Sequence, residues 1–147
     1  MTKEDKNLFI AAVILGLGLL GAVDGIVFHQ LLQWHHMVLN PNIKLEIITD
    51  GLFTAAFSAL LIWGGVKIFQ DARQNKLGHS WMVFSSGIFI GGGVFNIVEG
   101  IIDHHTLQVH RVRPAAENPL LYDLVFLAIG VLLVIIGFLI KRRYQSG

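Results

Sequence analysis

The sequence predicts an all-α integral membrane protein, a four-helix bundle built from two pseudo-symmetric helical hairpins. Three observations lead to this fold class: an apolar composition, four apolar stretches of membrane-spanning length, and an internal repeat. Of the 147 residues, 54% are hydrophobic and only 14% are charged, whereas a soluble domain carries about 25% charged residues. The formal net charge is +1, so we expect no nucleic-acid partner, because phosphate backbones bind to strongly basic surfaces.

Four apolar stretches cover residues 8–34, 47–69, 81–102 and 120–140. A bilayer core about 30 Å thick requires about 20 helical residues, so each stretch is long enough to cross it. A buried helix of a soluble bundle would keep a polar face, and the fourth stretch, LLYDLVFLAIGVLLVIIGFLI, has almost none. We therefore expect a single transmembrane domain over residues 1–147, in contact with the lipid bilayer.

The distribution of lysine and arginine between the two sides of the membrane predicts its orientation. One side would carry Lys3, Lys6, Lys67, Arg73, Lys76, Lys141, Arg142 and Arg143, and the other only Lys44, Arg111 and Arg113. The positive-inside rule then places both termini in the cytoplasm. The sequence thus predicts a multi-pass protein of the cell membrane, with the loops at residues 35–46 and 104–119 on the extracytoplasmic side.

The two halves of the chain resemble each other. Shifting the sequence by 75 residues places GLGLLGAVDGIVFHQLLQWH (16–35) over GGGVFNIVEGIIDHHTLQVH (91–110), with nine of twenty positions identical and Asp24 over Glu99. The matches include histidine and glutamine, which a merely apolar composition does not explain. We therefore expect one hairpin over about residues 8–70 and a second over about 80–143, arranged as parallel repeats with helices one and three near the axis.

Acidic residues and histidines gather in the extracytoplasmic half of the predicted spans. In an ideal helix, His29 lies about 140° around the axis from Asp24, and His35 lies about 16 Å farther along it. These three side chains cannot then reach one atom. We expect either two levels, with carboxylates deeper and histidines farther out, or local unwinding of the helices near Gly25 and Gly100.

Burial of these carboxylates requires compensation by protonation, by partner residues or by a cation. We expect a bound metal ion rather than a purely structural network. A charged carboxylate near the bilayer centre costs about 2.5–3.5 kcal/mol, and no lysine or arginine lies in the outer halves of the spans. Imidazole with carboxylate suits several transition metals. The predicted ligands are Asp24, His29, His35, Asp50, Glu99, Asp103, His104, His110 and Asp123.

Several features of this centre stay open from the residues alone. Asp50 and Asp123 follow prolines at helix starts, so interaction with the helix dipole is an alternative role for them. The ligand number permits one metal or a dinuclear centre, with copper, iron or zinc as candidates. Haem held by His29 and His104 is another possibility. The chain has no cysteine, which argues against a soft copper(I) site.

The segments VDGIVFHQLLQWHHM (23–37) and GGGVFNIVEGIIDHHTLQVH (91–110) resemble the signatures of a bacterial membrane family catalogued as domain of unknown function 2243. The resemblance covers nearly the whole chain. It implies a multi-pass membrane protein in a respiratory or copper context. It implies no activity, so the mechanism has to come from the residues themselves.

Three functions are compatible with the sequence. The first is a membrane metalloprotein whose outward-facing centre activates water or dioxygen, with Asp103 or Glu99 as proton acceptor. The second is a metal-delivery or assembly factor for a respiratory oxidase. The third is a proton relay, although residues 8–23 contain no ionisable side chain that would continue a path across the membrane. The partners left open are a second copy of the chain and oxidase components.

Overall fold

Four long helices make up the computed structural model, which describes residues 1–38, 40–102 and 111–146. No strand occurs within these ranges, and the predicted all-α fold class is confirmed. All four helices are long and apolar enough to cross a membrane. They are α1 (Lys3–Asp24), continued by a π-helical segment (Gly25–Leu31), then α2 (Ile43–Arg73), α3 (Trp81–Glu99) and α4 (Pro119–Ser146).

Side-chain caps explain where three of these helices begin. Thr2 accepts a hydrogen bond from the Asp5 backbone N–H, and the Asp5 side chain accepts one from the Thr2 N–H, which forms a capping box. Asn42 and Ser80 cap α2 and α3 in the simpler way, through one bond to a first-turn N–H. Because these polar first turns are helical too, α1 and α2 extend beyond the predicted apolar stretches.

The helices pack in the order α2, α1, α3, α4, with close backbone contacts between each neighbouring pair. The central pair is α1 and α3, as the repeat predicts, although the pseudo-symmetry itself stays a prediction. Large apolar side chains on α2 and α4 are exposed, among them Leu52 and Phe138. In a membrane such side chains would contact acyl chains, which agrees with an integral membrane protein.

Glycines allow the central helices to approach closely. A Cβ built on Gly91 of α3 would collide with the Val13 carbonyl oxygen of α1, and one on Gly16 of α1 would collide with the Ile88 carbonyl of α3. On the other side of α3, a Cβ at Gly93 would lie 2.6 Å from the Gly130 carbonyl oxygen of α4. Small residues at such contacts let helix backbones pack tightly in lipid.

The end of α1 is unwound, as predicted near Gly25. Residues Gly25–Leu31 form a π-helix, in which each N–H bonds to the carbonyl five residues earlier. π-Helical winding also begins at Gly100 and covers residues 100–102, which are the last residues of the range 40–102 that the structure describes. π-Helical turns are rare and are frequently found at functional sites.

Candidate metal centre

Four buried side chains converge where the π-helical segment meets α3. Each of them offers one nitrogen or oxygen ligand atom, and these four atoms all lie within 4.8 Å of one another. The side chains belong to residues only 1–4% exposed. They are Asp24, His29, His35 and Glu99.

The π-helical segment brings the first two ligands together. In an α-helix, residues five apart point about 140° away from each other, whereas the i→i+5 hydrogen bonds of a π-helix place such residues one turn apart. His29 Nε2 therefore lies 3.1 Å from Asp24 Oδ2. The predicted unwinding near Gly25 thus has a direct consequence for the site.

His35 reaches the site because the chain reverses after the π-helical segment. Gln33 has a φ of 49°, in the left-handed region, and the Trp34 N–H bonds back to the Phe28 carbonyl. The His35 ring then packs edge-on against His29, with 4.4 Å between ring centroids. The expected alternative of two separate levels is wrong for these residues, because it assumed that helix one continues straight through His35.

The His29 ring is held from two directions. Its Nδ1 lies 3.0 Å from Asp50 Oδ1, and its face stacks on Phe53 of α2 at 5.1 Å between centroids. When Asp50 accepts the Nδ1 hydrogen, Nε2 is left as the ligand atom, which is the usual arrangement for metal-binding histidines. In that tautomer Nε2 points toward Asp24 and His35.

The His35 ring is held by the second half of the chain. Its Nδ1 lies 2.7 Å from the Val112 carbonyl oxygen, and because a carbonyl only accepts, Nδ1 carries the hydrogen. Asp123 in turn accepts the Val112 N–H at 3.0 Å. His35 is outside the predicted spans, and its pKa is lowered chiefly by burial and also by the neighbouring His29, which favours the neutral ring that can bind a metal.

The two histidines therefore present ring nitrogens to each other. His35 Nε2 lies 3.1 Å from His29 Nε2, and each ring's Nδ1 already has an oxygen partner. Two lone pairs at this distance repel unless a proton or a cation lies between them. Two imidazole nitrogens bound to one tetrahedral zinc ion would be roughly 3.3 Å apart, close to the spacing observed.

Asp50 does not belong to the group of four but supports it. It is the eighth residue of α2, beyond the first turn, and its carboxylate also accepts the Met37 N–H at 2.6 Å. His36 Nδ1 lies 2.7 Å from its second oxygen, and His36 Nε2 lies 3.8 Å from Glu46. This role of His36 is not apparent from the sequence, in which its place beside His35 is the only signal.

Asp123 is fully buried but likewise lies outside the group of four. Besides the Val112 N–H, it accepts a hydrogen bond from Arg111 Nη1 at 2.9 Å. Asp50 has equivalent partners, the backbone N–H of Met37 and the side chain of His36. These two residues stand 75 positions before Val112 and Arg111 in the sequence. The remaining predicted ligands, Asp103, His104 and His110, lie outside the described residues.

Comparison with known sequences assigns the chain to a family. A family described as "Predicted membrane protein (DUF2243)" matches residues 11–144. The chain belongs to the DUF2243 family. The match to DUF2243 covers most of α1 and α4, all of α2 and α3, and all four clustered side chains. It confirms the resemblance seen in the two histidine-containing segments. No curated protein and no solved structure matches this DUF2243 chain.

Proposed function

We propose that this protein is an integral membrane metalloprotein that binds one transition metal ion through Asp24, His29, His35 and Glu99. The observation that carries the proposal is the convergence of two imidazole nitrogens and two carboxylates within 4.8 Å. Both rings have their other nitrogen on an oxygen acceptor. Such oriented outer contacts are typical of metal-binding histidines.

The charge of the site favours a divalent cation. Bringing two carboxylates into a low-dielectric interior is costly unless their charge is compensated. A divalent ion would neutralise both Asp24 and Glu99 while the histidines stay neutral. Two nitrogen and two oxygen donors suit zinc, iron, manganese or copper(II). Of these, we favour zinc, iron or copper, as the sequence suggested.

Burial of the ligands supports a resident metal over a delivery role. A metal-delivery or assembly factor for a respiratory oxidase needs ligands that exchange readily with a partner, whereas these four residues are at most 4% exposed. Haem is also disfavoured, because His29 Nε2 already lies 3.1 Å from both Asp24 and His35, which leaves no space for a planar macrocycle at that nitrogen. Activation of water or dioxygen is the chemistry that an open metal position would permit.

The asymmetry of lysine and arginine supports a centre on the extracytoplasmic side. The predicted outer loops precede α2 and α4, and they include His35 and Val112, which help to form the site. With both termini in the cytoplasm, the metal would then lie beneath the outer surface of the cell membrane. A second metal bound by residues of the other half would make the centre dinuclear.

Elemental analysis tests the proposal most directly. Protein purified in detergent without added metal should contain roughly one transition metal ion per chain, because a buried preformed site retains its ion. The double variant Asp24→Asn, Glu99→Gln should lose the ion. A folded wild-type protein that contains no metal and takes up none, or a double variant with unchanged metal content, would contradict the proposal.

Replacement of Asp50 by asparagine should weaken metal binding without removing a ligand. Asn accepts a hydrogen bond less strongly and no longer carries the charge that orients His29, and loss of such outer contacts typically lowers metal affinity about 10- to 100-fold. The control is Asp71→Asn, also on α2, where the carboxylate pairs with Lys67 at 2.8 Å. Competition with a chelator measures both variants, and equal affinity of Asp50→Asn and wild type would argue against the orienting role.

A further inference from the structure

We propose that an apolar cavity beside Glu99 admits a small, uncharged, apolar molecule from the bilayer to the metal centre. The inference rests on the proposed function, since it assigns a ligand class to the same site. The cavity has a volume of about 160 Å³. It is lined by Leu17, Phe53, Phe57, Phe95, Val98 and Glu99.

Two of the lining residues connect the cavity to the candidate metal centre. Glu99 both lines it and belongs to the group of four clustered side chains. Phe53, another lining residue, stacks on the His29 ring at 5.1 Å between centroids. A molecule bound in the cavity would therefore lie next to Glu99, and the Phe53 ring would separate it from His29.

The lining determines which molecules fit. Five of the six lining residues are apolar, and three of these are phenylalanines whose rings contact each other, with Phe57 lying 4.9 Å from Phe95 between centroids. A water needs two to four polar partners, which this mostly apolar lining does not offer, whereas apolar linings bind molecules such as benzene or xenon. The lining thus selects a small apolar molecule, a class that includes dioxygen.

The position of the cavity indicates that its ligand comes from lipid. Leu17 lies well inside α1, and Val98 lies in the α3 span and is 49% exposed. In the membrane, the exposed side of Val98 would face acyl chains, in which small apolar molecules are more soluble than in water. The polar loops at the extracytoplasmic end are then not the entry route for this ligand.

Xenon NMR tests this inference on full-length protein in lipid nanodiscs, with and without bound Mn²⁺ as a paramagnetic probe. We expect Mn²⁺ to increase the relaxation rate of xenon several-fold in the wild type, because bound xenon lies beside the metal. Val98→Phe and, independently, Leu17→Phe should fill the cavity and remove this increase. The matched control is Val94→Phe, one turn earlier on the same helix and not part of the lining, which should preserve it.

The outcomes separate this inference from the proposed function. Metal content of every sample is measured at the same time by elemental analysis. If Mn²⁺ binds but xenon relaxation is unchanged, or if the cavity-filling variants behave like Val94→Phe, the inference is wrong while the metal centre stands. An acyl chain that occupies the cavity and excludes xenon would likewise contradict the inference and leave the metal centre standing. Failure of any metal to bind would instead overturn the proposed function and, with it, the role assigned to the cavity.

Discussion

His29→Ala is expected to abolish metal binding and to lower the stability of the protein more than any other change within the site. The imidazole contacts Asp24 through Nε2 and Asp50 through Nδ1, and residue 29 is only 1% exposed. Alanine removes the ligand and the shared partner of both carboxylates together. Leaving buried charge without its partner typically costs about 3–5 kcal/mol.

Two measurements separate these effects. Elemental analysis reports the metal, and thermal unfolding in detergent reports stability in the presence and absence of a chelator. The control is His79→Ala, an exposed histidine in the loop between α2 and α3, which should alter neither quantity. A His29→Ala protein that keeps its metal at wild-type affinity would remove His29 from the ligand set.

Gly91→Val is expected to disrupt packing between α1 and α3 and to lose the metal as a result. The first carbon of any side chain at this position would collide with the Val13 carbonyl oxygen and lie 2.9 Å from the Leu17 nitrogen. Both are backbone atoms, so relief requires movement of a whole helix. Overpacking typically costs about 1–3 kcal/mol, and this contact would exceed that range because no flexible side chain can yield.

The same substitution at Gly65 provides the control. A side chain there would have nothing within 4 Å, so Gly65→Val should fold like the wild type. Size-exclusion profiles and thermal unfolding in detergent measure the folded fraction, and elemental analysis measures the metal. Because Asp24 and Glu99 come from the two helices that Gly91 holds together, a Gly91→Val protein that is stable and fully loaded would show that this helix contact does not form the site.

Much of the fold was predictable because membrane-spanning length is a local property of the sequence. The four spans follow from uninterrupted apolar runs. Their ends were less predictable, since the Thr2 capping box makes the polar residues before Leu8 helical as well. The central position of α1 and α3 also followed from the repeat and its glycines.

The site was predictable in composition but not in geometry. Asp24, His29, His35 and Glu99 were all among the predicted ligands, and the spacing of Asp24 and His29 required the unwinding that the π-helical segment provides. The reversal at Gln33 was not foreseen, because a left-handed glutamine has no sequence signature comparable to glycine. Nor was the contact of His35 with Val112, since a backbone carbonyl acceptor leaves no trace in residue type.

The π-helical segment makes chain length as critical as residue identity. A π-turn accommodates one more residue than the α-helix around it, and deleting Gln30 or Leu31, which follow His29, would restore ordinary helical winding. Asp24 and His29 would then still be five residues apart, about 140° around an α-helix, and His29 would turn away from Asp24 although every ligand was still encoded. A single-codon deletion after His29 should therefore abolish metal binding as completely as loss of the histidine itself.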